Sequence, residues 1–165
     1  MPYLSNLARR KKIKFFIDSI PLDAAILEIG CGSNWLKDYM IMKGYRNYTG
    51  IDTEGTPDIK GDINNWKALN LKEGHYDCII AFEVVEHADI WQSCYALLKK
   101  NGSMRLTTPV PSSDWLLKIL EAIGLNQKRT SPHDHLTDVS KITLFKIIYY
   151  KKMFGLSQWA ILQKQ

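Results

Sequence analysis

The chain has 165 residues, 45% of them apolar and 24% charged, with a formal net charge of +5. That length suffices to bury a core in one domain, and the composition excludes a disordered chain. No apolar run is long enough to cross a bilayer, and the basic start (Arg9, Arg10, Lys11, Lys12, Lys14) is not followed by the long apolar stretch of a signal peptide.

Ile13, Phe16, Ile17 and Ile20 recur at helical spacing and predict a first helix over 5–20, ended by Pro21. The basic residues 9–14 read first as its solvated face; a patch for phosphate-rich partners such as nucleic acid is the less favoured alternative. A strand is expected at 25–29, a helix at 34–43 stopped by Gly44, a second strand at 48–52 and a short third at 58–60. The continuous apolar run 76–82 has the character of a strand buried on both faces of a parallel sheet. Trp91, Cys94, Tyr95 and Leu98 repeat helical spacing, with Lys99, Lys100 and Gly102 as basic last turn and glycine stop.

A fifth strand at 103–108 is halted by Pro109 and Pro111. Leu116, Ile119, Leu120 and Ile123 predict an amphipathic helix, and 126–138 a polar loop carrying His133 and His135. Residues 141–154 read as a long apolar helix and 156–163 as a last strand. Only one clear strand follows Phe154, so a seventh strand is either missing or fused into 156–163. Strands alternating with helices predict an α/β fold: a Rossmann-like, doubly wound, mainly parallel sheet with helices on both faces, shortened at its C-terminal hairpin. Cys31, Cys78 and Cys94 form no CxxC pair, which favours reduced thiols in the cytoplasm over disulfides or a cysteine zinc site.

Residues 26–34, Ile-Leu-Glu-Ile-Gly-Cys-Gly-Ser-Asn, put an acid, Glu28, on a strand. The strand then breaks into a turn, Gly30-Cys31-Gly32, where a ligand can lie against the backbone. Asp52 ends the next strand. Strand, glycine turn, helix, strand and acid describe a nucleotide-like cofactor site on an open sheet. A dinucleotide fingerprint needs a third small residue where this chain has Trp35, so a nicotinamide cofactor is the weaker choice.

Glu83, Glu86 and His87 follow the fourth strand directly, at the edge where such sheets bind ligands. Two carboxylates three apart can share one face of a turn with the imidazole. Joined by His133 or His135 they would form a mixed oxygen and nitrogen set for a divalent metal. The favoured alternative is that the glutamate braces the following helix and the loop histidines are surface.

From 26 to 109, about half the chain, the sequence resembles the class I S-adenosylmethionine-dependent methyltransferases, of the type 11/12-like domain. Residues 26–32 look like their first motif and Gly61-Asp62-Ile63 like the segment that reads adenine. Residues 76–87 resemble the fourth-strand motif, and LLKKNGSMRLTTP, ending at Pro109, the fifth. The resemblance implies that Asp52 binds the two ribose hydroxyls, as a carboxylate can accept both donors of a cis-diol. It implies that Asp62 and Ile63 read adenine, and that Glu28, Gly30, Cys31, Gly32, Thr53, Phe82 and Glu83 complete the cofactor site. Asn34 stands where the family often has a third glycine; asparagine tolerates tight turns.

The implied cofactor is S-adenosylmethionine, released as S-adenosylhomocysteine. A divalent metal held by Glu83, Glu86, His87 and His135 is the less favoured addition, by resemblance to methyltransferases with a Glu-x-x-Glu-His element. The expected reaction is O-methylation of a small-molecule, saccharide or lipid-like acceptor. His87 is the first candidate base and His135 the second, because a neutral hydroxyl is a poor nucleophile. A metal-assisted RNA 2′-O-methyltransferase and a non-catalytic S-adenosylmethionine-binding protein stay open as alternatives. The expected organisation is one domain: an N-terminal helix at 1–24, a cofactor-binding core at 25–109, an acceptor-side lid at 110–140, and a closing helix and strand at 141–165. The sequence carries no oligomer signal.

Overall fold

The computed structural model describes residues 3–111 and 137–165, with side chains in the first helix described from Leu7 onward. The expected helix at 116–123 and both loop histidines, His133 and His135, lie outside the described residues.

Among the described residues seven strands form one sheet: β1 (Ile26–Ile29), β2 (Tyr48–Asp52), β3 (Ile59–Lys60), β4 (Tyr76–Phe82), β5 (Leu98–Pro109), β6 (Lys146–Met153) and β7 (Ser157–Gln163). Their order is β3-β2-β1-β4-β5-β7-β6; the first five are parallel, and β7 runs antiparallel to both neighbours. The doubly wound, mainly parallel sheet is the expected one, and it closes on a short antiparallel hairpin.

Burial of both faces explains the mostly apolar sequences of β1 and β4. Leu27, Ile29, Ile79 and Ala81 point to one side, against Ile63, Leu71, Cys94 and Leu97. Ile26, Cys78 and Ile80 point to the other, against Phe16, Ile17, Leu36 and Met40. The first face is covered by α3 (Trp91–Leu97) and the second by α2 (Trp35–Lys43) and the turn Ile13–Ile17 that follows α1 (Tyr3–Lys12). From β1 the chain winds outward to β3, then returns to β4 and winds the other way. Ligands bind at such a reversal, outside the carboxyl ends of the strands.

Three expectations are corrected. The first helix is not continuous: α1 passes at Ile13 into a π-helical turn, Ile13–Ile17, which ends as Asp18 N–H donates to the Ile13 carbonyl at 3.2 Å. Lys99, Lys100 and Gly102 do not end a helix; α3 stops at Leu97, and these residues bulge from β5 between the pairs Tyr76–Leu98 and Cys78–Ser103. A Cβ on Gly102 would lie 2.9 Å from the Lys99 carbonyl oxygen and 3.1 Å from that of Tyr76, so close backbone approach calls for glycine there.

The third correction is the largest. The long helix expected at 141–154 is a 3-10 turn (Val139–Lys141) followed by strand β6, so the hairpin has both its strands and the seventh strand is present. Its residues serve both faces across an irregularity between Ile147 and Tyr149: Ile147 and Tyr150 pack against one core, Tyr149 and Met153 against the other. Lys146, Lys151 and Lys152 are exposed on this edge strand, where charge discourages further strand pairing.

Gln158 of β7 is fully buried, and its amide has partners on both atoms. Its Oε1 accepts from Val139 N–H at 3.0 Å and the Tyr150 hydroxyl at 3.1 Å; its Nε2 donates to the carbonyls of Pro109 at 2.9 Å and Thr137 at 2.8 Å. No helix among the described residues is long and apolar enough to cross a membrane.

Candidate functional site

The carboxyl ends of β1, β2 and β4 bring together the glycine turn, Asp52 and the Glu83–His87 stretch, which are far apart in sequence. Gly30 (φ +73) and Gly32 (φ +50) both take left-handed backbone, which glycine adopts at no steric cost. At Gly30 space is a second constraint, since a Cβ would meet Val84 Cγ2 at 2.5 Å. Asn34 (φ +58) starts α2, and its Nδ2 donates to the Thr56 carbonyl at 3.1 Å. Asparagine is among the few side-chain-bearing residues that tolerate this conformation, which explains its stand-in for glycine.

Asp52 is clamped against the turn: one carboxylate oxygen accepts from Gly32 N–H at 2.8 Å and the other from Glu54 N–H at 3.1 Å. Thr53 is exposed beside it. Each oxygen keeps a lone pair for a further donor. Asp62 caps the 3-10 turn Ile63–Asn65, accepting from Asn64 N–H at 2.9 Å with one oxygen, while Ile63 is buried beneath. Cys31 is buried, so the turn offers its backbone here.

Glu28 is 2% exposed and accepts a hydrogen bond from the Tyr48 hydroxyl. Burial pushes its carboxyl up to about 7; the Tyr48 bond opposes the rise and the Asp52 charge adds to it. Gly50 makes room for this pair: a Cβ there would lie 3.1 Å from Cys31 Sγ and 3.3 Å from the Tyr48 hydroxyl. Glu28 therefore braces the floor beneath the turn. On the outer side, Asp58 accepts from Gly50 N–H at 2.9 Å and pairs with Lys37, which holds it below the usual carboxylate range despite partial burial.

At the end of β4, Phe82 stacks on Trp35 with ring centres 6.4 Å apart. Trp35 thus fills the place where a dinucleotide fold needs a small residue. Glu83 turns the chain with φ +58, a strained position for a glutamate, and its carboxylate accepts from Thr107 Oγ1 at 2.7 Å and pairs with Lys12 at 2.9 Å. Glu86 is 1% exposed and accepts from Thr108 Oγ1 at 2.8 Å. Burial, then the Glu83 charge, push Glu86 up to about 8, so it is mostly protonated at neutral pH. His87 is half-buried in the same turn, its N–H donating to the Val84 carbonyl at 2.9 Å.

Glu83 and Glu86 are thus each bound to a threonine of β5. Among the described residues no group of three His, Cys, Asp or Glu could hold a metal ion. The basic helix is also more engaged than a solvated face. Lys12 lies 5.2 Å over the Phe82 ring, and Arg9 lies 5.0 Å over Trp35. Lys12, Tyr48, Thr107 and Thr108 escape the sequence reading because their partners are distant in the chain. Gly50 inside a strand was the one local sign of close packing around Glu28.

No curated protein matches the chain significantly. Among solved structures it is similar to the PH0226 protein of Pyrococcus horikoshii OT3 (13% identity, TM-score 0.66, covering 99% of this chain and 91% of that one). It is also similar to a SAM-dependent methyltransferase of Archaeoglobus fulgidus (16%, TM-score 0.61, 98% and 93%). A third is the 1,6-didemethyltoxoflavin-N1-methyltransferase of Burkholderia thailandensis with bound S-adenosylhomocysteine (13%, TM-score 0.54, 87% and 72%). These likenesses establish the fold. A family profile described as a methyltransferase domain matches residues 3–148, and the chain belongs to that family.

Proposed function

We propose that the chain binds S-adenosylmethionine across the carboxyl ends of β1 and β2 and transfers its methyl group to an acceptor oxygen of a small-molecule, saccharide or lipid-like substrate. The observation that carries this is the Asp52 carboxylate, fixed by the amides of Gly32 and Glu54 beside the open glycine turn. When bound, the cofactor supplies an electrophilic methyl on a sulfonium cation.

The residues present fit that group. A Cβ on Gly32 would meet only the Gly30 carbonyl oxygen, at 4.0 Å, so the turn leaves room for a ligand against its backbone. Asn34 Oδ1, next to the turn, is buried without a hydrogen-bond partner, an acceptor suited to a donor such as the cofactor's ammonium. The acids Glu28, Asp52, Asp62 and Glu83 suit a cation. Asp52 would hold the ribose hydroxyls, Asp62 and Ile63 the adenine, and the 30–32 backbone, Thr53 and Phe82 the rest.

On the acceptor side His87 serves as base, holding the proton that the hydroxyl loses; His135 is the second candidate. Glu86, mostly protonated at pH 7, brings little negative charge to the same turn. Alignment of acceptor and methyl in a closed site can supply much of the rate, on the order of 7–11 kcal/mol.

Calorimetry tests the cofactor first. S-adenosylmethionine and S-adenosylhomocysteine should bind and NAD should not; Asp52→Asn should weaken both by about 10- to 100-fold, the worth of hydrogen bonds to a charged group. Absence of binding by the wild-type chain sinks the reading. Turnover on hydroxylated small molecules and RNA ends, with and without EDTA, then identifies the acceptor class. His87→Ala should abolish turnover while leaving cofactor affinity intact.

A further inference from the structure

Phe154 sits at the tip of the β6–β7 hairpin with φ +51 and 83% of its surface exposed. A bulky aromatic seldom takes that conformation, and one so exposed gains little for the fold by doing so. Its ring meets a cation, Lys11 Nζ, 5.5 Å from the ring centre. Lys11 belongs to a stripe on α1 and the turn after it: Leu7, Arg10, Lys11 and Lys14 fall at i, i+3, i+4, i+7, while Arg9, Lys12 and Phe16 face inward. Leu7 is exposed, as are Arg10, Lys11 and Lys14. Lys151, exposed on β6, lies between Tyr149 and Met153, which pack on the same core as Phe15 and Phe16 of the turn after α1.

The register places this rim at the functional edge of the sheet. Met153 pairs with Ser157, Ser157 with Pro109, and Val110 N–H donates to the Leu156 carbonyl at 2.9 Å. The hairpin tip therefore stands beside the carboxyl end of β5, and Lys12 anchors α1 to Glu83 at the same edge.

We infer that this rim docks on an anionic phospholipid surface, with Phe154 and Leu7 entering the headgroup–acyl boundary and Arg10, Lys11, Lys14 and Lys151 meeting lipid phosphates. Apolar side chains flanked by cations gain from both parts of such an interface. A nucleic acid would satisfy the cations but would make no use of Leu7, and a stacking surface differs from a single ring at a turn tip. Docking in this orientation turns the acceptor side toward the membrane. That last consequence rests on the proposed methyl transfer; the docking itself does not.

Co-sedimentation with phosphatidylcholine vesicles, with and without phosphatidylglycerol, tests it. The wild-type chain should pellet with the anionic vesicles, and added salt should release it. Phe154→Asn keeps a residue that accepts φ +51, so the melting temperature should hold or rise while vesicle affinity falls about tenfold. The double change Lys11→Glu, Lys151→Glu should lower it about tenfold or more. Equal or absent pelleting on both vesicle types overturns the inference, as does unchanged binding by the variants. Binding of polyuridylate in place of vesicles, lost in the same variants, would make the rim a nucleic-acid surface and also overturn it. So would a wild-type dimer that Phe154→Asn dissociates in sedimentation velocity. Calorimetry of the variants with S-adenosylmethionine keeps this result separate from the cofactor reading.

Discussion

Replacing Glu86 with glutamine should stabilise the protein, and by an amount that depends on pH. Glutamine keeps the side-chain volume and an oxygen to accept from Thr108 Oγ1, but it cannot ionise. In the unfolded chain Glu86 loses its proton near 4.5; in the folded protein, buried beside Glu83, it keeps it up to about 8. Between those values the native state binds the extra proton, so raising the pH drains stability from the wild type through Glu86, a loss the variant does not share. The advantage of Glu86→Gln should be near zero below pH 4.5, grow by about 1.36 kcal/mol per pH unit, and level off near pH 8 at about 5 kcal/mol. With a urea slope of roughly 2 kcal/mol/M, that is a midpoint shift of about 2.5 M. Urea titrations of both proteins at half-unit steps from about pH 4 to 9 measure it, with equal slopes as the check on two-state behaviour. A midpoint difference that stays constant across this range would refute the assignment of a proton to buried Glu86.

Gly30→Ala combines a left-handed φ with a Cβ 2.5 Å from Val84 Cγ2, so thermal or urea melts should show a loss of about 2–4 kcal/mol, and calorimetry a loss of cofactor binding. A melting curve matching the wild type would mean that the turn relaxes freely. Tyr48→Phe removes the donor to buried Glu28 and should cost about 1–3 kcal/mol. Because that bond lowers the Glu28 pKa, the Glu28 carboxyl should titrate above its present value of about 7, visible by carboxyl-carbon NMR. No upward movement would contradict the bracing role given to the pair.

The glycine turn and the strand-end acids were legible because their geometry is written locally. Gly30, Gly32 and Asn34 sit within five residues, and each has the left-handed backbone its residue type permits. Asp52 and Asp62 end a strand and cap a turn, two positions that local sequence marks directly. The Tyr48–Glu28 and Lys12–Glu83 pairs were hidden, since sheet order and helix docking decide which distant side chains meet. The error at 141–154 has a different origin. A short apolar run fits helix and strand periods alike, and Ile147, Ile148, Tyr149 and Tyr150, β-branched and aromatic, were the available sign of a strand. In the same way Lys99, Lys100 and Gly102 carry a helix-ending pattern, but Gly102 serves the close backbone packing of a bulge.

Gln158 has a consequence for how β5 and the closing hairpin are joined. Its Nε2 joins the carbonyl of Pro109 to that of Thr137, so the chain leaves the sheet and rejoins it at one point. The positions of Pro109 and Thr137 are therefore held from β7, by hydrogen bonds to one fully buried side chain. One buried amide thereby fastens the end of β5 and the start of the closing hairpin to each other through side-chain hydrogen bonds, so that the meeting of Pro109 and Thr137 is set by β7.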